Sequence, residues 1–294
     1  MFAKSFLAQI DEYSDLPFRL LCQKHGAEAT CVPLVSSTAI VRNPKVLGRI
    51  DAHSDEKKSG IQLVGSESKE IGQATSMVLS TFPHITYLNL NCGCPSQRTT
   101  ESGSGSAMLA TPQKIEAAVK EMKKNSNVPV SVKLRLYGSK TMQICKSIEE
   151  AGADFVILHG RSPGQGYSGK ANWNAIKQVK EQLGIPVIGN GDINVDDGEQ
   201  RIKGKFCDGY MIGRAAMTNP LVFCNKIPEG RKEKLALLSD YIELHRKYLG
   251  EPELKTTKIK ALQFICGVVH ASEARNKIAR AKSTEEIIEA FTEK

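Results

Sequence analysis

Between residues 5 and 213, eight short apolar runs alternate with longer stretches whose apolar residues recur at helical spacing. No other feature constrains the fold as much, because strands joined through intervening helices pair in parallel. Strands are expected over 5–10, 29–35, 60–65, 85–90, 128–136, 155–160, 185–191 and 209–213. Helices are expected over 16–24, with Pro17 in the first turn, and over 67–80, with Ser66 as a cap. Further helices are expected over 112–124, 140–151 (stopped by Gly152), 173–183 and 195–203. Eight such units fit an α/β fold of the (βα)8 TIM-barrel type better than an open sheet. No Gly-x-Gly-x-x-Gly turn follows the first strand, so a doubly wound dinucleotide fold lacks its phosphate loop.

After Pro220 the pattern changes. Ile227-Pro228-Glu229-Gly230 reads as a linker, and helices alone are expected beyond it, over 231–249, 256–270, 272–281 and 284–292. The expected organisation is a barrel over 1–228 and a small all-helical C-terminal domain over 229–294. The formal net charge of +8 suits a polyanionic partner, although a basic helical face is more often simply solvated. The chain lacks a long apolar run and a signal-peptide pattern, and its eight cysteines form no paired framework. A cytoplasmic protein with reduced thiols and no membrane span is expected.

The expected strand ends carry residues that packing does not require. The fourth strand breaks into Asn91-Cys92-Gly93-Cys94-Pro95, which sets an amide and two thiols where barrel enzymes hold their chemistry. Burial as packing residues is the ordinary fate of free cysteines and suits Cys92 better than Cys94. A zinc site is weakly supported, since no second ligand pair follows. Gln62 sits within Ile61-Gln62-Leu63-Val64, and facing inward it needs hydrogen-bond partners. Ser131, Lys133 and Arg135 share one face of their strand, and no carboxylate stands nearby in sequence to pair an inward Lys133. His159-Gly160-Arg161, Asn190-Gly191-Asp192 and Gly213-Arg214 close the last three strands. Glycine-bearing turns after strands seven and eight are where such barrels bind phosphate.

Asn91-Cys92-Gly93-Cys94-Pro95-Ser96-Gln97-Arg98, followed by Gly103-Ser104-Gly105-Ser106-Ala107-Met108-Leu109, resembles the signature loop of the tRNA-dihydrouridine synthases. Asp15-Leu16-Pro17-Phe18-Arg19, Gln165-Gly166-Tyr167-Ser168-Gly169 and the strand ends above resemble other blocks of that family, over residues 7–220. The chain departs from the family pattern at Ala8-Gln9-Ile10-Asp11-Glu12, where Ala-Pro-Met-x-Gly is usual, and at Pro33, Asn89 and Arg98. The resemblance implies FMN as cofactor, held by Ala8, Gln62, Lys133, His159, Asn190, Gly191, Asp192, Gly213 and Arg214. It implies Cys94 as proton donor, substrate contacts from Asn91, Arg98 and Arg161, NADPH or NADH as reductant, and no metal. It also implies tRNA as partner, docked on the C-terminal helices, with no protein partner expected. Phosphate contacts are sought at Lys255, Lys258, Lys260, Arg275, Lys277, Arg280 and Lys282.

The implied chemistry is reduction of the uracil C5–C6 bond in a nucleotide flipped out of its stack. A thiol at its ordinary pKa of ~8.5 is mostly protonated at neutral pH and can act as the acid. Two other readings stay open: an FMN barrel acting on a free pyrimidine, and a non-catalytic RNA-binding relative.

Overall fold

In the computed structural model, which describes residues 3–292, one parallel sheet of eight strands curls into a barrel. The strands are β1 (Ser5–Leu7), β2 (Thr30–Ser36), β3 (Ser59–Val64), β4 (Tyr87–Cys92), β5 (Val130–Arg135), β6 (Phe155–His159), β7 (Val187–Asn190) and β8 (Gly209–Ile212). Neighbours follow chain order, and β1 pairs with β8. The remaining seam between β1 and β2 is closed by the Phe6–Ala29 bridge and by Leu7 N–H donating to Ala29 O. The expected (βα)8 barrel is therefore the observed architecture.

The crossover helices are α1 (Leu16–Lys24), α2 (Ser37–Arg42), α3 (Ser68–Thr81), α4 (Gln97–Thr100), α5 (Pro112–Lys124), α6 (Thr141–Glu150), α7 (Trp173–Gln182), α8 (Val195–Lys203) and α9 (Arg214–Thr218). Four more follow: α10 (Gly230–Leu249), α11 (Leu254–Phe264), α12 (Ala271–Arg280) and α13 (Thr284–Thr292). None of the described helices is long and apolar enough to cross a membrane.

The pleat divides the strand residues between two cores. Leu88, Leu90, Val130, Val132, Leu134, Val156 and Leu158 face the helices in one large cluster, and Phe6, Tyr87, Phe155, Ile157, Ile188 and Met211 pack in a second. The rings of Phe6, Tyr87 and Phe155 meet at 5.7–6.3 Å and plug the lower end of the barrel.

Several expected details are corrected. β4 runs two residues further than 85–90, because Asn91 and Cys92 stay in register with Lys133 and Leu134 and only Gly93 breaks the strand. Ser66 does not cap α3. Glu67 holds that position without a side-chain cap bond, and Ser66 Oγ donates instead to Ser102 O. The helix expected over 256–270 ends at Phe264, ahead of the left-handed Gly267 and His270. The short α2 was not expected at all.

The C-terminal helices are tied to the barrel by buried charge. Asp15 caps α1 by accepting from Phe18 N–H (3.1 Å), and its carboxylate also accepts from Tyr241 Oη of α10 (2.6 Å). Lys260 of α11 lies 3.5 Å from the same carboxylate, donates to Tyr13 O, and sits over the Phe18 ring at 4.2 Å. With only 1% of its surface exposed, Lys260 is an internal strut and not a solvated phosphate contact. Alongside, the fully buried Arg19 is held by Glu56 (2.7 and 2.9 Å), Asp51 (3.0 Å) and the Ser14 and Asp51 carbonyls.

Arg19→Ala strands Glu56 as an uncompensated buried charge. It is expected to lower the unfolding free energy by about 3–5 kcal/mol, measured by urea denaturation, and Arg19→Lys is expected to recover only part of this because one ammonium cannot replace the guanidinium fork.

Candidate active site

Polarity rises from the floor of the barrel to its mouth, and the register shows how. Gln62, Asn89 and Ser131 are Cα partners in one row across β3, β4 and β5. Asn91 and Lys133 form the next, and Arg135, His159, Asn190 and Met211 form a third across β5–β8. Within the lower rows a hydrogen-bond relay satisfies every amide. Asn91 Nδ2 donates to Gln62 Oε1 (2.8 Å), Gln62 Nε2 to Asn89 Oδ1 (2.6 Å), Asn89 Nδ2 to Ser131 Oγ (2.8 Å), and Ser131 Oγ to Leu88 O (3.0 Å). Gln62 thus faces inward as expected, but its partners are Asn89 and Asn91.

Asn91 also shapes the loop that follows. Its Oδ1 accepts from Gly93 N–H (3.0 Å) and Cys94 N–H (2.9 Å), which turns the chain so that Cys94 leaves the strand half-exposed. Cys94 Sγ donates to Ser96 Oγ at 3.3 Å. Cys92 is buried against Met108 Sδ, at 3.9 Å, and serves packing.

Beside this loop, at the C-terminal ends of β1 and β5–β8, a cavity of about 540 Å³ opens to solvent. Ala8, Lys133, His159, Asn190, Gly191, Asp192, Gly213 and Arg214 line it, which brings together all of the expected cofactor residues except Gln62. Arg135 and Tyr167 line it too, and sequence reasoning gave neither a role. The signal for Arg135 was its place on the Lys133 face of the strand. For Tyr167 it was the glycines on either side, Gly166 and Gly169, both in left-handed conformation. The Tyr167 ring lies under Arg214 at 4.7 Å and Arg135 at 5.7 Å, and Arg135 Nε donates to Gly93 O (3.0 Å), joining the cavity wall to the thiol loop.

Of the expected substrate residues, Asn91 sits at the base of the Cys94 loop, whereas Arg98 and Arg161 lie apart from it. Arg98 is on a second cavity. Arg161 is buried, its Nη2 bonded to both Asp192 oxygens (2.7 and 2.6 Å) and to Gly169 O (2.6 Å), so it braces the loop after β6.

Charge in the cavity is predominantly positive. Among the described residues no carboxylate pairs with Lys133, and burial, reinforced by Arg135, pushes its ammonium down to about 8. Burial and the charges of Lys133, Arg135 and Arg161 push His159 down to about 3, so its ring is neutral. Burial opposes ionisation of Asp192, but hydrogen bonds from Arg161 and Ala171 N–H, with Arg214 at 3.2 Å, hold its carboxyl below the usual range. Asn190 Nδ2 donates to Met211 O (2.7 Å), leaving its oxygen without a donor. A Cβ at Gly191 would come within 2.9 Å of Ala171 and the His159 ring, so its left-handed φ of 115° is reserved for glycine. A Cβ on Gly213 would meet only Ala8, at 3.5 Å. The volume falls within the ~300–1,000 Å³ of small-molecule sites. Unpaired polar groups at Lys133, His159 and Asn190 with a cation at Arg214 suit a polar-edged ring bearing an anionic tail.

A family model described as dihydrouridine synthase matches residues 6–294. A probable tRNA-dihydrouridine synthase of Aquifex aeolicus is 30% identical over 98% of this chain and 94% of its own length. A tRNA-dihydrouridine(47) synthase [NAD(P)(+)] of Coprinopsis cinerea is 30% identical over 84% of this chain and 40% of its own. A solved 2-naphthoyl-CoA reductase superposes with a TM-score of 0.55 at 11% identity, over 75% of this chain and 49% of that one, a likeness of fold alone.

The depressed pKa of His159 has a thermodynamic consequence. Between pH 6.5 and about 3 the unfolded chain holds a proton there that the folded chain lacks, so stability falls as pH drops through that window and is fully restored above it. The ligand-free protein is expected to lose on the order of 2 kcal/mol through this group between pH 7 and pH 5. Urea denaturation of His159→Gln beside the parent should show that portion of the pH dependence gone.

Proposed function

The chain belongs to the dihydrouridine synthase family, and from that premise we propose that it reduces the C5–C6 double bond of uridine in tRNA. The observation that carries this reading is the Cys94 loop, turned by Asn91 and tied to the rim of the cationic cavity through Arg135. FMN in that cavity would supply the hydride for C6, restored by NADPH or NADH, in keeping with the NAD(P)(+) of one relative's name.

This chain's own residues divide the remaining tasks. Lys133, His159 and Asn190 offer hydrogen bonds to a ring edge, and the turns at Gly191 and Gly213 with Arg214 receive a phosphate. Neutral His159 can donate or accept there without adding a charge. Cys94 delivers a proton to C5 as general acid, and Lys133 and Arg135 offset the negative charge that builds on the pyrimidine. Asn91 is chiefly a positioning residue, since Gly93, Cys94 and Gln62 occupy most of its hydrogen-bonding capacity. Its second Nδ2 hydrogen is available to a base. Ala8 forms part of the cavity wall next to Gly213, whereas Gln62 acts through Asn91 from below.

The C-terminal helices would dock the tRNA through cations that stay in solvent. Lys255, Arg275, Lys277, Arg280 and Lys282 are exposed, and Lys258 is half-buried with its ammonium on Ala279 O. Such contacts offset the cost of extruding a base, a few kcal/mol, and make affinity fall with salt.

Incubation of purified protein with unmodified tRNA and NADPH, followed by mass spectrometry of the nucleosides, tests the reading through the appearance of dihydrouridine. Cys94→Ala should retain flavin while product formation drops by about 10²-fold or more; undiminished product would remove Cys94 from the acid role. Arg214→Ala should release flavin during gel filtration, and full occupancy would refute the phosphate assignment.

A further inference from the structure

A second cavity, of about 560 Å³, lies across the Cys94 loop from the first, above β2, β3 and β4. We propose that it is a ribose-phosphate subsite, with Arg98 for the phosphate and Asp11 and Glu12 for the sugar hydroxyls. The proposal extends the function stated above to the part of the ligand that lies beyond the reacting ring.

Charge is the first argument. Arg98 is exposed on this cavity, and among the described residues it makes no ion pair or hydrogen bond. The same holds for the carboxylates of Asp11 and Glu12, which line the same cavity. A free guanidinium is a fork for phosphate oxygens, and a carboxylate is the acceptor that nucleotide sites direct at a ribose hydroxyl. A simple anion would use the cation and be repelled by the acids. A neutral sugar would use the acids and leave the cation idle. A ribose phosphate uses both.

Backbone conformation is the second argument. Glu12 (φ 65°) and Leu34 (φ 40°) are non-glycine residues in the left-handed region, and both line this cavity. Leu34 falls in the irregularity of β2 between Val32 and Val35, where pairing with β3 shifts register. Strained residues and bulges concentrate where a side chain must be aimed at a ligand.

Position is the third. Ser96, which accepts from the Cys94 thiol at 3.3 Å, is also part of this wall. The cavity therefore adjoins the Cys94 thiol, within reach of the sugar and phosphate of a ligand whose ring lies beside it. Two sources supply that chemistry: the nucleotide next to the reacting one in an RNA strand, and the ribose phosphate of a nicotinamide dinucleotide.

The test uses the full chain and its Arg98→Ala, Arg98→Lys and Asp11→Asn/Glu12→Gln variants. Binding of a short uridine-containing oligoribonucleotide and its deoxyribose counterpart is read by fluorescence anisotropy, and NADPH by anaerobic bleaching of bound flavin. Arg98→Ala is expected to weaken one ligand by about tenfold, with Arg98→Lys recovering part and flavin content unchanged. For an RNA occupant the double variant is expected to narrow the ribose-over-deoxyribose preference by several-fold, on the order of one lost hydrogen bond to a charged group, with NADPH unaffected. For a dinucleotide occupant the bleaching titration shifts and the oligonucleotide does not. Both ligands binding every variant within about twofold, less than one such bond, would overturn the proposal while leaving dihydrouridine formation to judge the function separately. A parent protein that takes up no flavin would instead sink the function, and the anisotropy arm would still decide the subsite.

Discussion

The interior of the barrel depends on one constraint: on every strand, each second residue faces inward. Tyr87, Asn89 and Asn91 follow one another up β4, and Ser131, Lys133 and Arg135 up β5, so each strand passes from core to chemistry within five residues. A slip of one residue in β5 would turn Lys133 and Arg135 into the helix layer and bring Val132 and Leu134 inside. Burying two cations against Ile144 and Ile148 costs far more than a strand can recover. The positions of the cavity's cations and the register of the sheet are thus one and the same choice.

The same stacking explains how a strongly positive mouth is held without a matching set of acids. Lys133, Arg135 and Arg214 line the cavity, with Arg161 buried against Asp192 in its wall, and Asp192 is the one carboxylate in direct contact with any of the four among the described residues. Backbone carbonyls take up much of the difference: Arg135 is bonded to Gly93, Ser162 and Gly166, and Arg161 to Ser168 and Gly169. These bonds orient the guanidiniums without neutralising them, which keeps the field that an anionic ligand would meet. His159 pays for this by losing its proton. Its neutrality is a consequence of burial first and of the surrounding cations second, and it leaves a ring that can present a hydrogen bond and no charge.

Much of this was legible in the sequence because it follows from periodicity. The eight strands appear where the apolar runs stand, α1, α8 and α13 span the residues their apolar spacing suggests, and the expected cofactor residues at the ends of β5–β8 line one cavity. What local pattern leaves out has a common cause, in that each feature depends on a partner elsewhere in the chain. Asn91 belongs to β4 because Lys133 pairs with it, and nothing local says so. Gln62 reads as a residue in want of a ligand, whereas Asn89 and Asn91 satisfy it from the neighbouring strand. Arg161 closes a strand as a substrate contact is expected to, yet its Nε and Nη2 are engaged by Asp192 and the Ser168 and Gly169 carbonyls, and only its buried Nη1 is left without a partner. Lys260 looks like any lysine of a basic helix until Asp15, at the opposite end of the chain, is brought beside it.

That last pairing explains why the C-terminal helices and the barrel pack as one body. Asp15 has three duties at once: it caps α1, accepts from Tyr241, and balances Lys260. A half-buried carboxylate with two partners on different helices fixes their relative setting more tightly than apolar contact, because each polar contact tolerates little displacement. The Asp15 turn is also only a few residues from Ala8, Asp11 and Glu12, which form walls of the two cavities. The β1–α1 connection therefore carries cavity walls at one end and the anchor of the helical region at the other. A ligand spanning barrel mouth and helices meets a surface whose two parts are held in step by a stretch of chain too short to let them drift.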